Sequence, residues 1–279
     1  MQADQFAFAM ILSLFAGLST GIGGLFLLLF KKTNAKLISI ALGFSAGVMI
    51  YISFVEMLPE ARNYLVESMG AERGEWWTLI SFFIGIFIIL IIDKFVPESF
   101  NPHEVKKMED AEPFQKVENA NWCNIRGDSQ KVIRAGMLTA LAVTIHNFPE
   151  GIATFIAASS DFSLGIAIAI AVAIHNIPEG IAVAVPVYCG TGSKKRAFAI
   201  SLLSGLSEPF GALLAFLILG PFINDMVLGM IFAAVAGIMV FISLDELLPT
   251  AREFGEHHSS IAGLIVGMLI IGIGLLLVS

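Results

Sequence analysis

Long apolar runs, separated by short polar segments, follow one another along almost the whole chain. A helix needs about 20 apolar residues to cross the hydrocarbon core of a bilayer, and such runs occur eight times. The predicted spans are about 6–30, 37–58, 76–96, 132–157, 163–188, 198–219, 222–248 and 260–278. Because only Pro221 and a short Asn224-Asp225 turn separate the sixth run from the seventh, a count of seven spans stays open. The expected fold class is an all-α polytopic membrane protein, in which residues 1–279 form a single transmembrane domain.

The composition agrees with membrane insertion and excludes several other classes of protein. Hydrophobic residues make up 57% of the chain and charged residues only 14%, with a mean hydropathy of +0.85. A soluble domain of ordinary composition is about half apolar and about a quarter charged. A soluble enzyme, a disordered chain and a secreted disulfide scaffold are therefore disfavoured. The formal net charge of -7 argues against a nucleic-acid partner, since phosphate backbones attract basic proteins.

The charged residues indicate an orientation in the bilayer. The segment of about 97–131 holds three prolines and many charges, and it is expected to be a loop. Lys and Arg are enriched on the cytoplasmic side of membrane proteins. With both termini outside, 14 of the 16 Lys and Arg residues fall inside, and only Arg62 and Arg73 fall outside. This predicts periplasmic termini and a cytoplasmic long loop, and the short remaining loops favour a bacterial inner membrane.

Two internal repeats are visible in the sequence. Residues 46–62 match residues 236–252 at an offset of 190, with shared Ser, Glu, Pro and Arg positions. Residues 145–152 match residues 174–181 at an offset of 29, which is one span. In both cases an odd number of spans relates the copies, so the copies cross the membrane in opposite directions. The pattern predicts a 3+2+3 inverted-repeat arrangement of eight helices, which is typical of secondary transporters.

The second repeat carries the residues with the strongest chemical character. His146 and Glu150 are separated by four positions, so they share one helix face, and His175 and Glu179 do the same. An asparagine that follows each histidine lies three positions before the same glutamate; these are Asn147 and Asn176. Each glutamate can therefore face a histidine site and an asparagine site. If the two faces meet, a two-metal centre with bridging carboxylates results.

The spans contain acids but no bases in their interiors. Glu150, Glu179 and a third acid in the sixth span, Glu208, have no Lys or Arg at mid-membrane depth to offset them. An ionised acid at the centre of a bilayer costs about 2.5–3.5 kcal/mol on insertion scales. A cation arriving from solution would offset this cost. Carboxylate, imidazole and amide groups together suit Zn²⁺, Fe²⁺, Mn²⁺ or Co²⁺.

Three further acids lie near the ends of the second and seventh spans. Glu56 approaches the outside on this topology, and Asp245 and Glu246 approach the inside. We expect them to be entrance and exit carboxylates on the metal path. An equally good interpretation is that they are ordinary interfacial acids at helix ends.

These motifs resemble those of a known family. The His-Asn-x-Pro-Glu-Gly motifs at 146–151 and 175–180 resemble the fourth and fifth spans of the ZIP (Zrt/Irt-like) divalent metal transporters. The stretches 52–59 and 207–209 are similar to the bacterial branch of that family. The resemblance covers nearly the whole chain and implies uptake of divalent metal ions into the cytoplasm through a binuclear centre.

The resemblance also implies which residues hold the metal. A zinc-type site would consist of His146, Glu150, His175 and Glu179. An adjacent, more iron-like site would consist of Asn147, Glu150, Asn176, Glu179 and Glu208. The transported ions, zinc with iron, manganese, cobalt or cadmium, are cargo, and no cofactor is expected. The expected partners are the metal ions and the lipid bilayer, and a homodimer is left open. An elevator-like movement of spans 1, 4, 5 and 6 against spans 2, 3, 7 and 8 is also implied.

Two other functions compete with this interpretation. An intramembrane metalloenzyme would need His-Glu-x-x-His for a protease or Glu-x-x-His for a di-metal bundle, and the order here is His-x-x-x-Glu. A passive cation channel would use the same acids without saturable transport. The absence of a Walker A motif argues against direct coupling to ATP.

Overall fold

The computed structural model describes residues 3–29, 35–95, 129–219, 224–254 and 257–278, and every regular element in these ranges is helical. The α-helices are α1 (Ala3–Leu29), α2 (Ala35–Ile52), α3 (Leu58–Met69), α4 (Ala71–Phe95), α5 (Ser129–Ser160), α6 (Phe162–Thr191), α7 (Lys194–Gly205), α8 (Ser207–Leu214), α9 (Asp225–Ile242), α10 (Leu248–Phe254) and α11 (His257–Val278). Three π-helical turns accompany them: π1 (Ser53–Met57), π2 (Ala215–Leu219) and π3 (Ser243–Leu247). The predicted loop at 97–131 lies outside the described residues, except for the start of α5.

These helices form eight successive spans within the described ranges. The second span consists of α2, π1 and α3, the sixth of α7, α8 and π2, and the seventh of α9, π3 and α10. The other five spans are the single helices α1, α4, α5, α6 and α11. The seventh span begins at Asp225, where the Asn224 side chain accepts a hydrogen bond from the Val227 amide and caps the helix. The sixth and seventh predicted runs are therefore separate helices.

Seven of the spans combine a membrane-crossing length with a strongly apolar composition, as judged on the described residues alone. The exception is α5, which is 32 residues long but carries His146, Asn147 and Glu150 at its centre. All three side chains are buried within the protein, so the polar face of α5 does not face lipid. The chain is an integral membrane protein.

The second and seventh spans extend farther than the sequence pattern predicted. Their predicted ends are at about 58 and 248, but the helices continue through Pro59 and Pro249 to Met69 and Phe254. Proline lacks the N–H for the regular helix bond and usually ends or kinks a helix. Here each proline directly follows the first residue after a π turn, and such turns are where helices absorb local irregularity. The two π turns lie 190 residues apart, as do the sequence repeats.

Glycines bring the central helices into main-chain contact. The Cα of Gly151 lies so close to the Glu208 carbonyl oxygen that a Cβ would clash there. Gly180 makes the matching approach to the carbonyl oxygen of Thr20. Small residues at such crossings are typical of helix packing in membranes. As a result α5 packs directly against α8, and α6 packs directly against α1.

The burial of the spans places α6 at the centre of the molecule. Its residues from Gly165 to Val187 are mostly buried, whereas α4 and α11 expose long rows of apolar side chains. Exposed apolar residues such as Phe87 and Leu269 are expected on a surface that faces lipid. The polar motif residues lie on α5 and α6, far from this surface.

Candidate metal centre

The two motif copies meet in the interior of the helix bundle. The residues predicted to bind metal are each at most 2% exposed, and they are His146, Asn147, Glu150, His175, Asn176, Glu179 and Glu208. Proline does not break either helix, since α5 continues through Pro149 and α6 through Pro178. The sequence motif therefore places its side chains on two uninterrupted helices that pack along each other.

Each histidine faces the glutamate of the other motif copy. The Nε2 atom of His146 lies 3.0 Å from Oε2 of Glu179. The Nε2 atom of His175 lies 3.4 Å from Oε1 of Glu150, although these two atoms do not form a well-aligned hydrogen bond. The sequence predicted that each histidine shares a helix face with the glutamate of its own helix. In the structure, each histidine also faces the glutamate of the neighbouring helix. Two imidazoles and two carboxylates therefore face one another between α5 and α6.

The asparagines form a second polar face that reaches α1 and α8. The side-chain amide of Asn176 donates hydrogen bonds to Oε1 of Glu208 and, over 3.0 Å, to the carbonyl oxygen of Ala16. The amide of Asn147 lies 3.5 Å from the hydroxyl oxygen of Thr20. Thr20 is the residue that the sequence repeat aligns with Glu208. The third acid predicted from the sequence thus joins the site through Asn176.

Most of the unsatisfied polar atoms in the described part of the chain lie in this cluster. Ten buried side-chain nitrogen and oxygen atoms lack a hydrogen-bond partner there, and eight of them belong to the candidate site. These eight are His146 Nδ1, Asn147 Oδ1, Glu150 Oε1 and Oε2, His175 Nδ1 and Nε2, Asn176 Oδ1 and Glu208 Oε2. Native proteins leave only a few such atoms unpaired, and each one costs about 1–3 kcal/mol. A bound cation would satisfy the carboxylate, amide or imidazole lone pairs of those side chains that turn toward it.

In the described part of the chain, no Lys or Arg side chain offsets the buried acids. Among the described residues that are buried, the charged or titratable ones are glutamates and histidines, and none is Lys or Arg. Glu150 and Glu179 lie close enough to Glu208 to act on it electrostatically. Buried charges in proteins are normally paired or bound to metal. The electrostatic deficit predicted from the sequence is therefore present in the folded chain.

The ligating atoms do not yet surround a common point. Within the described ranges, no three side chains of the His, Cys, Asp and Glu types are placed so as to hold one metal ion. They are arranged as pairs, with His146 bonded to Glu179 and Asn176 bonded to Glu208. Metal binding would therefore require these side chains to exchange their present partners for the ion.

The three predicted pathway acids differ in their distance from the site. Oε2 of Glu246 lies 3.8 Å from Nδ1 of His146, and its side chain is 12% exposed. Asp245 is exposed at the surface in the same π turn. Glu56, which the repeat aligns with Glu246, is half-buried, and its strongest charged neighbour is Glu60 rather than a histidine of the site. The structure thus brings Glu246 to the site but not Glu56.

One contact to the site was not predicted from the sequence. The hydroxyl oxygen of Ser45, on α2, lies 3.1 Å from Oε1 of Glu179 and 3.3 Å from the carbonyl oxygen of His175. Ser45 is fully buried. A single serine within an apolar span carries no distinguishing signal in the sequence. Only the packing of α2 on α6 shows that it faces the motif.

Comparison with known proteins identifies the family. The model of the family described as "ZIP Zinc transporter" matches residues 7–279. A protein named zinc transporter ZupT from Clostridium perfringens is 54% identical over 273 residues, which cover 96% of this chain and 95% of the relative. Proteins of the same name from Streptococcus mutans and Oceanobacillus iheyensis are 54% and 53% identical and are covered over 97% and 100% of their lengths. These two matches extend over 96% and 99% of the present chain, respectively. With its double His-Asn-x-Pro-Glu-Gly motif buried between two central helices, the chain belongs to the ZIP family.

Proposed function

We propose that the protein is a secondary transporter that carries zinc and other divalent transition metals into the cytoplasm. The observation that carries this proposal is the cluster of eight unpartnered polar atoms, buried in the bundle where the described residues include no buried Lys or Arg. These atoms belong to carboxylate, imidazole and amide groups, and such groups suit a transition metal of borderline softness as ligands. The relatives named above are zinc transporters, so zinc is the first expected cargo.

The donor set supports a wider range of cargo than zinc alone. Oxygen ligands are added to the two His–Glu pairs by Glu208, Asn147 and Asn176. Such ligands favour manganese, and the imidazole groups also suit iron. Iron, manganese, cobalt and cadmium are therefore proposed as further cargo. Mg²⁺ and Ca²⁺ prefer sites made of oxygen ligands, and the two histidines disfavour them.

We infer a binuclear site from the two faces of the glutamates. On one face, Glu150 and Glu179 meet His146 and His175. On the other face, the asparagine of each motif turns toward α1 or α8 and, with Glu208, offers a second set of donors. A carboxylate that lies between the two sets can bridge two ions. Histidine would dominate the first position, and carboxylate and amide oxygens the second.

The 3+2+3 inverted-repeat arrangement is supported by contacts that recur at matched positions. The Ser13 hydroxyl lies 3.5 Å from the Gly151 carbonyl oxygen, and Ser201, 188 residues later, lies 3.1 Å from that of Gly180. The contact of Asn147 with Thr20 corresponds in the same way to that of Asn176 with Glu208. The outer spans also match, since Gly47 approaches the Leu264 carbonyl oxygen as Gly237 approaches that of Phe82. These pairs relate spans 1, 2 and 3 to spans 6, 7 and 8.

The orientation follows from charge and from the depth of the acids. The positive-inside pattern puts both termini in the periplasm and the long loop in the cytoplasm of a bacterial inner membrane. Glu246 then lies on the cytoplasmic side of the site, where it would receive an ion from His146. Glu56 would act at the opposite end, and Asp245 at the cytoplasmic surface. The whole chain is proposed as one transport domain. Whether two copies of it form a homodimer stays open.

The comparisons argue against the metalloenzyme alternative, because the family and the named relatives are transporters and not enzymes. A passive channel differs from a carrier in its kinetics. A carrier must bind and release its ion in each cycle, so its uptake rate saturates with metal concentration. A channel would conduct without saturation in the same low range.

The test is zinc uptake into proteoliposomes that contain a zinc-sensitive dye and the purified full-length protein. The wild type should take up zinc at a rate that saturates, and the Glu150→Gln variant should lose this uptake. Glu67→Gln, which changes an exposed acid on α3, is the matched control and should keep the wild-type rate. Wild-type uptake by Glu150→Gln would overturn the site assignment, and uptake proportional to concentration would favour a channel. Competition by iron, manganese, cobalt and cadmium would rank the cargo.

A further inference from the structure

Ser45 restrains one of the two site carboxylates and leaves the other without a corresponding restraint. In Glu179, Oε1 lies 3.1 Å from the Ser45 hydroxyl and Oε2 lies 3.0 Å from His146 Nε2. In Glu150, Oε1 lies 3.4 Å from His175 Nε2 in a poorly aligned ion pair, and neither oxygen accepts a hydrogen bond in the described part of the chain. The two glutamates occupy the same position of the same motif. Their difference therefore comes from the helices around them.

The difference follows from the sequence of the second and seventh spans. The repeat that relates these spans by 190 residues places Val235 where the second span has Ser45. Val235 is buried on α9, and its side chain has no hydroxyl to donate. The other buried serine of α2 is Ser39. Its hydroxyl has no hydrogen-bond partner in the described part of the chain, so it forms no bond to the site. Ser45 is thus a feature of one half of the molecule, and it breaks the pseudo-symmetry of the site.

We propose that Ser45 is a positioning residue that sets the metal preference of the site by occupying one oxygen of Glu179. This inference rests on the proposed transport function. The Ser45 hydrogen bond occupies one lone pair of Oε1 and weakens that oxygen as a metal ligand, so Glu179 binds an ion first through Oε2, in exchange for His146. Glu179 then contributes mainly one oxygen ligand, while Glu150, whose oxygens accept no hydrogen bond, can contribute two and is the carboxylate able to bridge. Ser45 therefore limits the number of oxygen ligands around the ion.

The limit on oxygen ligands favours zinc over manganese. Zn²⁺ takes about four ligands and binds imidazole well. Mn²⁺ prefers octahedral sites rich in oxygen, such as carboxylates, carbonyls and water. If the hydroxyl is removed, both oxygens of Glu179 become available, and the site gains an oxygen ligand. The relative affinity for manganese should rise.

The experiment measures zinc and manganese uptake by the full-length protein in proteoliposomes, with KM and maximal rate obtained for each ion. Ser45→Ala should raise the preference for manganese over zinc by about 10-fold, the lower end of what outer-shell partners of metal ligands contribute. The change should appear in the ratio of KM values rather than in a common loss of maximal rate. Ser39→Ala, which removes a buried hydroxyl on the same helix that does not contact the site, is the matched control and should keep the wild-type ratio.

A second pair of variants separates the hydroxyl from the space it fills. Ser45→Thr retains the hydroxyl, and Ser45→Val has the same shape without it. The threonine variant should keep the wild-type metal preference, and the valine variant should shift it as alanine does. An unchanged ratio in both the alanine and valine variants would overturn the inference while leaving the transport proposal intact. Loss of the proposed function would instead appear as wild-type protein that moves no zinc, or as a Glu150→Gln variant that transports normally.

Discussion

Glu150 and Glu179 occupy the same position in two copies of one six-residue motif, yet their carboxylates have different surroundings. Glu179 is held on one side by Ser45 and on the other by His146. Glu150 is equally buried, but neither of its oxygens has a hydrogen-bond partner among the described residues. A repeated motif therefore does not give two equivalent ligands. The neighbouring helices determine which carboxylate is restrained and which is free to respond to a metal ion.

The largest effect is expected when either glutamate is neutralised. Glu150→Gln and Glu179→Gln should each lower the initial rate of zinc uptake by more than the roughly 10- to 100-fold that outer-shell substitutions cost. The reason is that each variant removes a charged ligand rather than a supporting group. The measurement is dye-detected uptake in proteoliposomes with equal amounts of inserted protein. If one variant retained half of the wild-type rate, that glutamate would not be a ligand.

The same two variants should differ in stability when zinc is absent. Glu150→Gln removes a buried charge that accepts no hydrogen bond and faces only the poorly aligned His175 at 3.4 Å, so it should destabilise the protein less than Glu179→Gln does, by about 1–3 kcal/mol. Glu179→Gln loses a charge that already has two partners, so it should not stabilise the protein. Thermal unfolding in detergent with a chelator present measures both. Equal shifts in the two variants would contradict the difference between the carboxylates.

Substitution of the glycines at the helix crossings tests the helix packing around the site without changing any candidate metal ligand. Gly151→Ala and Gly180→Ala each place a Cβ against a main-chain carbonyl, of Glu208 and Thr20 respectively. Overpacking of this kind costs about 1–3 kcal/mol, and both variants should unfold at lower temperature. Gly274→Ala is the control, because nothing lies within 4 Å of its added Cβ. Wild-type stability in both of the former variants would show that α5–α8 and α1–α6 are not in close contact.

The two asparagines provide a smaller and graded comparison. Asn176 donates to Glu208 and to the Ala16 carbonyl oxygen, whereas Asn147 has a long contact of 3.5 Å with Thr20. Asn176→Ala leaves a buried carboxylate oxygen without its donor and should destabilise the protein by about 1–3 kcal/mol. Asn147→Ala should cost less, and thermal unfolding of both variants measures the order. The reverse order would show that Glu208 does not depend on Asn176.

The smallest effect is expected at the pathway acids. Glu246→Gln changes a side chain 3.8 Å from His146 and should lower the maximal zinc uptake rate several-fold with little change in KM. Its repeat counterpart, Glu56→Gln, lies farther from the histidines and should have a weaker effect. Uptake kinetics of the two variants measure the difference. Equal rates for Glu246→Gln and the wild type would remove Glu246 from the path.

Much of the fold and of the candidate site could be predicted from the sequence, because both depend on regular spacing along the chain. Apolar runs of membrane-crossing length gave the spans, and the i, i+4 spacing of His146 and Glu150 put them on one helix face. The helices of the second and seventh spans continue past the predicted span ends at about 58 and 248, through Pro59 and Pro249. The π turns that carry each helix past its proline depend on the surrounding packing, and no local pattern announced them.

By itself, the sequence determined which polar residues interrupt the apolar runs, that one motif occurs in two neighbouring runs, and that no Lys or Arg accompanies its acids. These properties depend on order and composition, which do not change on folding. Only the tertiary structure decided that His146 faces Glu179, that Asn176 holds Glu208, and that Ser45 donates a hydrogen bond to Glu179 while Glu150 accepts none. Such contacts depend on the rotation and depth of each helix against its neighbours. Those are set by main-chain contacts at glycines such as Gly151 and Gly180, whose partners are distant in the sequence.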